Sequence, residues 1–314
     1  MATFAVALVQ LLLVLLLAPL LTGLVRKVKA RLLRRRGPSL VQPYRDLLRL
    51  LRKEAVIAEN ASWLFRTAPY VIFATTWVAA ALVPTFASDL PFGPSADLIA
   101  IVALLGSARF FLALVGLDVG TSFGGIGSSR EVMVASLAEP ALLIVAFTLA
   151  LIAGSTQLSV IAAELAAGVG LRVSLGLVLA ALVIVALAEN SRIPVDNPAT
   201  HLELTMIHEA MVLEYSGRHL AVIEAAGMLK LLLYTSVIAA VFVPWGIAGS
   251  DASPMQHLAG AAAYVGKVLF AGVLLAAFET SIAKMRVFRV PEYLGFALML
   301  ALLAMLLMFV TKTL

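Results

Sequence analysis

Eight apolar stretches fill most of this chain: residues 4–25, 67–87, 97–117, 134–154, 171–188, 222–247, 259–280 and 292–311. A helix needs about 20 consecutive apolar residues to cross the hydrocarbon of a bilayer. Water is absent there, so backbone N–H and C=O groups must be satisfied within the segment, as a helix does. The expected fold is therefore all-α: a polytopic membrane protein of about eight transmembrane helices, forming a single integral membrane domain over residues 1–314. Pro84 and Pro91 close the second stretch, and Pro244 and Gly246 close the sixth. Composition points the same way, with 62% hydrophobic and 13% charged residues against about 25% charge in soluble domains.

Charge is as uneven as hydropathy. Residues 26–66 hold twelve of the 23 Lys and Arg and three of the 18 Asp and Glu, so the remainder is net acidic although the whole chain is +5. Positive loops stay in the cytoplasm. With the N-terminus outside, the inner loops are 26–66, 118–133, 189–221 and 281–291, and they carry 12, 1, 2 and 3 basic residues, 18 of the 23. Both termini then lie outside and the large charged loops in the cytoplasm. The basic residues sit where a membrane protein needs them, which argues against nucleic acid. The first stretch is too long for the apolar part of a signal peptide and lacks an Ala-x-Ala site before the arginines, so it reads as a retained helix. Cysteine is absent, which excludes disulfides, Cys zinc sites and iron–sulfur clusters held by this chain.

Residues 39–60 repeat apolar side chains at helical spacing (Leu47, Leu48, Leu50, Leu51), with Arg45, Arg49, Arg52 and Lys53 on the other side. This is an interfacial amphipathic helix. Its basic side either snorkels to anionic lipid or also docks a soluble partner. The third inner segment, 189–217, carries Glu189, Asp196, Glu203, Glu209 and Glu214 threaded among apolar residues. A freely solvated loop would not need those apolar residues, so the segment is expected to pack against partners. A helix is expected from about Thr200, placing Glu203 and Glu214 on one face. His201, His208 and Glu209 do not match the H-E-x-x-H metal spacing, because Val212 stands where the second His belongs; no metal site is expected. The glycines of TSFGGIGSS (121–129) lie between two spans and read as a flexible inner loop.

Charged groups within the spans are Arg109, Glu139, Glu224, Lys230, Lys267 and Glu279. Such groups are costly in lipid and mark function or pairing. They are either structural ion pairs or members of a chain that hands protons on, since burial raises a carboxylate pKa and a nearby cation lowers it. The chain shows no convincing internal repeat, which weighs against a free-standing carrier built from inverted repeats.

The stretches GPSLVQPYRDLLRLLRKE (37–54) and AENSRIPVDNPATHLELTMIHEAMVLEYSG (188–217) resemble the signatures of the respiratory complex I subunit 1 family. In that family the second signature reads approximately E-T-N-R-x-P-F-D, then an acid-rich run, then E-Y. Glu189, Arg192, Pro194, Asp196, Glu203, Glu214 and Tyr215 fit it. The His-Leu-Glu-Leu-Thr-Met-x-His-Glu run is similar to the branch found in membrane-bound nickel–iron hydrogenases, typified by formate hydrogenlyase subunit 4 and hydrogenase-4 component C.

The resemblance implies a non-catalytic cell-membrane subunit of an oxidoreductase complex. It would anchor the peripheral electron-transfer arm and begin the ion-translocating arm, coupling electron transfer to proton movement. Implied partners are hydrogenase large and small subunits, an iron–sulfur subunit and antiporter-like membrane subunits. This chain would bind no cofactor; the nickel–iron centre and the iron–sulfur clusters would sit in partners. The alternative is the quinone-chamber subunit of a respiratory NADH:quinone oxidoreductase. By resemblance, the proton relay would run through Glu139, Glu189, Asp196, Glu203 and Glu214, with Arg192 organising the loop. Glu224, Lys230, Lys267 and Glu279 join it on burial alone, and Arg45, Arg49, Arg52 and Lys53 form the docking face.

Overall fold

A computed structural model describes residues 2–88, 93, 96–168, 173–196, 206–249 and 252–313. Among these residues the fold is entirely helical and contains no strand. In chain order the helices are α1 (Ala2–Leu32), α2 (Gln42–Leu51), α3 (Trp63–Leu82), α4 (Leu98–Asp118), α5 (Ser122–Ala153), α6 (Leu158–Ala166), α7 (Val173–Glu189), α8 (His208–Val212), α9 (Gly217–Phe242), α10 (Pro254–Ser281) and α11 (Val290–Thr313).

Local chemistry sets many of the boundaries. Ser62, Asp97 and Thr121 each cap the helix that follows by accepting a backbone N–H with the side chain. Ser253 and Gln256 form a reciprocal capping box at the start of α10. Gly154, with φ +71°, ends α5 in the left-handed conformation.

Each expected span falls on a helix. Six (Phe4–Leu32, Leu98–Asp118, Ser122–Ala153, Gly217–Phe242, Pro254–Ser281 and Val287–Val310) are long and apolar enough to cross a membrane, and Val173–Glu189 is a shorter apolar helix. The remaining expected span is α3, where Arg66, Tyr70, Thr75 and Thr76 dilute the apolar run. The interfacial helix is present but shorter than residues 39–60. α2 packs on α1 and α9, with Leu47 and Leu50 half-buried and Leu48 and Leu51 exposed.

A main apolar core runs between α1, α3, α4, α5, α7, α9, α10 and α11. A second core joins α3, α4, α8 and the start of α9 on the face that carries the basic loop. There, Asn60 donates to the Val119 carbonyl at 2.6 Å and the Ser62 amide donates to Asp118 at 3.0 Å. Ser216 Oγ accepts from the Val56 amide at 2.8 Å and donates to the Val56 carbonyl at 2.9 Å. The first two bonds tie the end of the first loop to the end of α4 and the last two tie it to the acidic segment, where Gly217 (φ +53°) leaves room for the Glu54 backbone.

Two sequence expectations change here. Residues 122–129 of the glycine run are the first turns of α5, not a flexible loop. A side chain at Gly124 would strike the Gly116 carbonyl, and one at Gly127 would meet Met211 at 2.9 Å and Ala210 at 3.0 Å. Those glycines let α4, α5 and α8 approach closely. A continuous helix from Thr200 to Glu214 is also not seen: Met206 and Ile207 are non-helical, α8 spans only His208–Val212, and Glu214 lies beyond its end. Glu214 therefore lies on no regular helix face, and Glu203 lies outside the described residues.

The glycine packing predicts a contrast. Gly124→Ala should destabilise by about 1–3 kcal/mol through overpacking. Gly125→Ala, whose added methyl meets nothing within 4 Å, should be neutral or stabilise by up to about 1 kcal/mol through helix propensity. Thermal unfolding in detergent distinguishes the two.

Candidate functional site

The chemistry concentrates around Arg109, in the middle of α4 and only 6% exposed. It sits nine residues from the Asp118 end, about 14 Å along the helix axis. The close approach of α4 and α5 brings Glu131 within 3.4 Å of Nε and Glu139 within 3.6 Å of Nη1. Glu189, at the last turn of α7, pairs directly with Nη2. Lys230 on α9 reaches the other Glu189 oxygen at 3.5 Å. The Glu131 and Glu139 contacts are ion pairs rather than aligned hydrogen bonds, because Arg109 Nε and Nη1 have no hydrogen-bond acceptor. Three carboxylates thus face two cations. Glu131 and Glu189 are buried, whereas the Glu139 side chain is 43% exposed on the outside of the bundle.

Toward the basic face lies a cavity of about 480 Å³. Its walls carry Arg26 and Lys29 from α1, Arg192 and Asp196 from the segment after α7, and His208, Glu209, Glu224 and Glu279. Glu279 is held by Lys29 at 3.0 Å and by Arg192 at 3.4 Å. Asp196 accepts from the Ile207 amide at 3.2 Å and pairs with Lys284 at 3.4 Å. Burial raises the Glu209 pKa, Asp196 adds to the rise and Arg26 opposes it. Burial also lowers the His208 pKa, and Lys230 pushes it the same way. A second, small cavity of about 30 Å³ is lined by Arg109, Glu131 and Lys230. His208 and Gly227 line both cavities.

The expected relay residues divide accordingly. Glu139, Glu189 and Lys230 meet at Arg109, while Asp196, Glu224 and Glu279 surround the larger cavity, where Arg192 braces Glu279. Glu214 lies apart, bonded to Thr121 at the start of α5. Its neighbour Tyr215 stacks on Phe65 with ring centroids 4.1 Å apart and donates to the Phe65 carbonyl at 3.1 Å. Lys267 donates to the carbonyls of Val243 and Trp245, beyond the end of α9. Twelve residues, about 18 Å of helix, separate it from Glu279, so it caps an unwound backbone and does not join the carboxylates. Glu203 and His201 lie outside the described residues. Arg45, Arg49, Arg52 and Lys53 are exposed, and Arg49 pairs with Asp46 at 3.2 Å. Among the described residues, no group of three or more His, Asp or Glu is arranged to hold a metal ion.

Sequence reasoning noted Arg109 among the span charges, as an ion-pair or relay member, but did not single it out as a site residue. It missed Glu131 by placing residue 131 in a loop. It weighed His208 only as a metal ligand. The usable signal was Arg109 itself, since a lone arginine in an apolar helix requires carboxylates on its neighbours.

Fold and site together define a polytopic membrane protein with a paired charge cluster buried beneath a polar cavity. The NADH dehydrogenase family model matches residues 4–311, and the chain belongs to that family. It is 36% identical over 294 residues to hydrogenase-4 component C of Escherichia coli (strain K12), covering 93% of this chain and 92% of that one. It is likewise 36% identical over 287 residues to formate hydrogenlyase subunit 4 of the same organism, covering 91% and 92%. The fold is similar to a chain of the membrane-bound sulfane sulfur reductase, an archaeal respiratory membrane complex, with TM-score 0.79 and 20% identity over 98% of this chain and 99% of that one.

Removing the guanidinium should expose how much the cluster depends on it. Arg109→Leu leaves three carboxylates facing one cation and should destabilise by about 3–5 kcal/mol. Adding Glu189→Gln to that variant should recover part of the loss. A double-mutant cycle on thermal unfolding measures the coupling.

Proposed function

We propose that this chain is the membrane subunit of a nickel–iron hydrogenase complex of the formate hydrogenlyase kind, coupling electron transfer in soluble partners to proton movement. The carrying observation is the Arg109, Glu131, Glu139, Glu189 and Lys230 cluster lying directly behind a cavity lined with ionisable groups. The 36% identity to hydrogenase-4 component C and formate hydrogenlyase subunit 4 supports the branch.

The relay begins at Asp196, Glu209, Glu224 and Glu279 around the cavity and continues to Glu189, Glu131 and Glu139. Opposing charges offset the cost of burying these carboxylates in the low-dielectric layer. Glu139 is the exit. Its half-exposed carboxylate on a membrane-facing helix is too costly to leave against lipid. That face is therefore where an antiporter-like membrane subunit packs and accepts the proton. The basic loop and α2 lie in the cytoplasm, and Arg45, Arg49, Arg52 and Lys53 face the hydrogenase large and small subunits and the iron–sulfur subunit. The nickel–iron centre and the clusters belong to those partners.

A quinone chamber is the second reading, favoured by the cavity size, which falls within the roughly 300–1,000 Å³ of small-molecule sites. Its charged walls suit a proton path better than a hydrophobic quinone. Quinone-analogue inhibition of the assembled enzyme would favour the chamber.

Glu189→Gln in the assembled complex, reconstituted in sealed vesicles, should lower proton movement per electron pair at least tenfold. Hydrogen evolution and a pH-sensitive dye, read together, give that ratio. An unchanged ratio overturns the relay.

A further inference from the structure

We propose that His208 is the gate through which protons pass between the polar cavity and the buried Arg109 cluster. This deepens the relay reading and rests on it. The first observation is position: His208 lies in the wall common to the 480 Å³ and 30 Å³ cavities. The second is an unused atom: Nδ1 is shut off from solvent and has no hydrogen-bond partner among the described residues. An unsatisfied buried polar atom is destabilising, so packing alone gives no reason for a histidine here.

The backbone beneath the ring is fixed. Arg130 donates to the Met206 carbonyl at 2.6 Å, and Asp196 accepts from the Ile207 amide at 3.2 Å. Ala210 and Met211 fill the space left by Gly116 and Gly127. The backbone that carries the imidazole is thus held in place, while the ring itself can turn about its side-chain bonds and Nδ1 stays free to exchange a proton.

Charged groups line both cavities that the ring borders. Asp196, Glu209 and Glu224 line the cavity with it. Arg109, Glu131 and Lys230 line the smaller cavity. Glu279, with Lys29 and Arg192, closes the far wall of the larger one. Burial and the Lys230 ammonium lower the His208 pKa, while Glu131 and Asp196 oppose them. A neutral ring can take up a proton from a cavity acid at one nitrogen, forming imidazolium. It then releases a proton from the other nitrogen to Glu131 or Glu189. One proton enters and one leaves, and ring reorientation restores the starting tautomer.

The test uses the assembled complex in sealed vesicles, with co-purification of the partner subunits as the folding control. His208→Gln keeps a polar side chain of similar size that cannot titrate, and should lower proton movement per electron pair at least tenfold. His208→Ala should be equally impaired and should recover several-fold when imidazole is added, whereas methylated imidazoles lacking a free N–H should not restore it. A merely structural histidine predicts no such rescue. Wild-type coupling in His208→Gln, or no imidazole rescue of His208→Ala, overturns the gate. If Glu189→Gln blocks coupling while His208→Gln does not, the gate falls alone. If neither variant affects coupling, the relay falls with it.

Discussion

A guanidinium enclosed by apolar helices cannot stand without counter-charge, and much of the buried polar structure here follows from that requirement at Arg109. Its partners come from separate parts of the chain: Glu131 and Glu139 on α5, Glu189 on α7, with Lys230 of α9 behind Glu189. Four membrane helices are thereby held in one register about a single side chain. The arrangement is unforgiving, because removing one partner leaves the others buried and uncompensated. A helix bundle in lipid has little hydrophobic driving force between its helices, so a directional charge contact contributes to helix arrangement as well as to chemistry.

Close backbone packing makes that contact possible. Glycine at 116, 124 and 127 removes the side chains that would hold α4, α5 and α8 apart. Only then can α5 begin twelve residues before the apolar stretch at 134, carrying Glu131 into the interior as part of a helix. The same contact seats Met211 and Ala210 and so positions His208. The short helix α8 has no length to stabilise itself; its place is set by these glycines, by Arg130 and by Asp196.

This explains what the sequence could and could not reveal. The spans were legible because crossing lipid imposes an unbroken apolar run, and the basic loop was legible because its charge is extreme. Glu189, Glu139 and Lys230 could be picked out as ionisable groups in or beside apolar helices. Glu131 could not, because a glycine-rich run reads as a loop until close helix approach gives the glycines a purpose. Lys267 was read as a relay member from burial alone, which marks a charge as paired without naming the partner, and here the partners are the backbone carbonyls of Val243 and Trp245. Glu214 matched its signature by position, and its hydrogen bond to Thr121 at the start of α5 could not be read from the sequence.

The distribution of polarity along the bundle then gives the path its direction. From the basic face inward, the lining changes from an open cavity of mixed charge to a compact ion-paired cluster. Beyond the cluster the small void beside Tyr234 is walled by Leu, Ile, Val and Ala from α4, α5, α7 and α9, a lining that holds no carboxylate. A route straight across this chain is therefore unfavourable, while Glu139 offers a carboxylate half-open to the side of the bundle. On the proposed reading, a proton entering from the cavity turns at Arg109 and leaves through that side. On that reading, crossing the membrane falls to a neighbouring subunit.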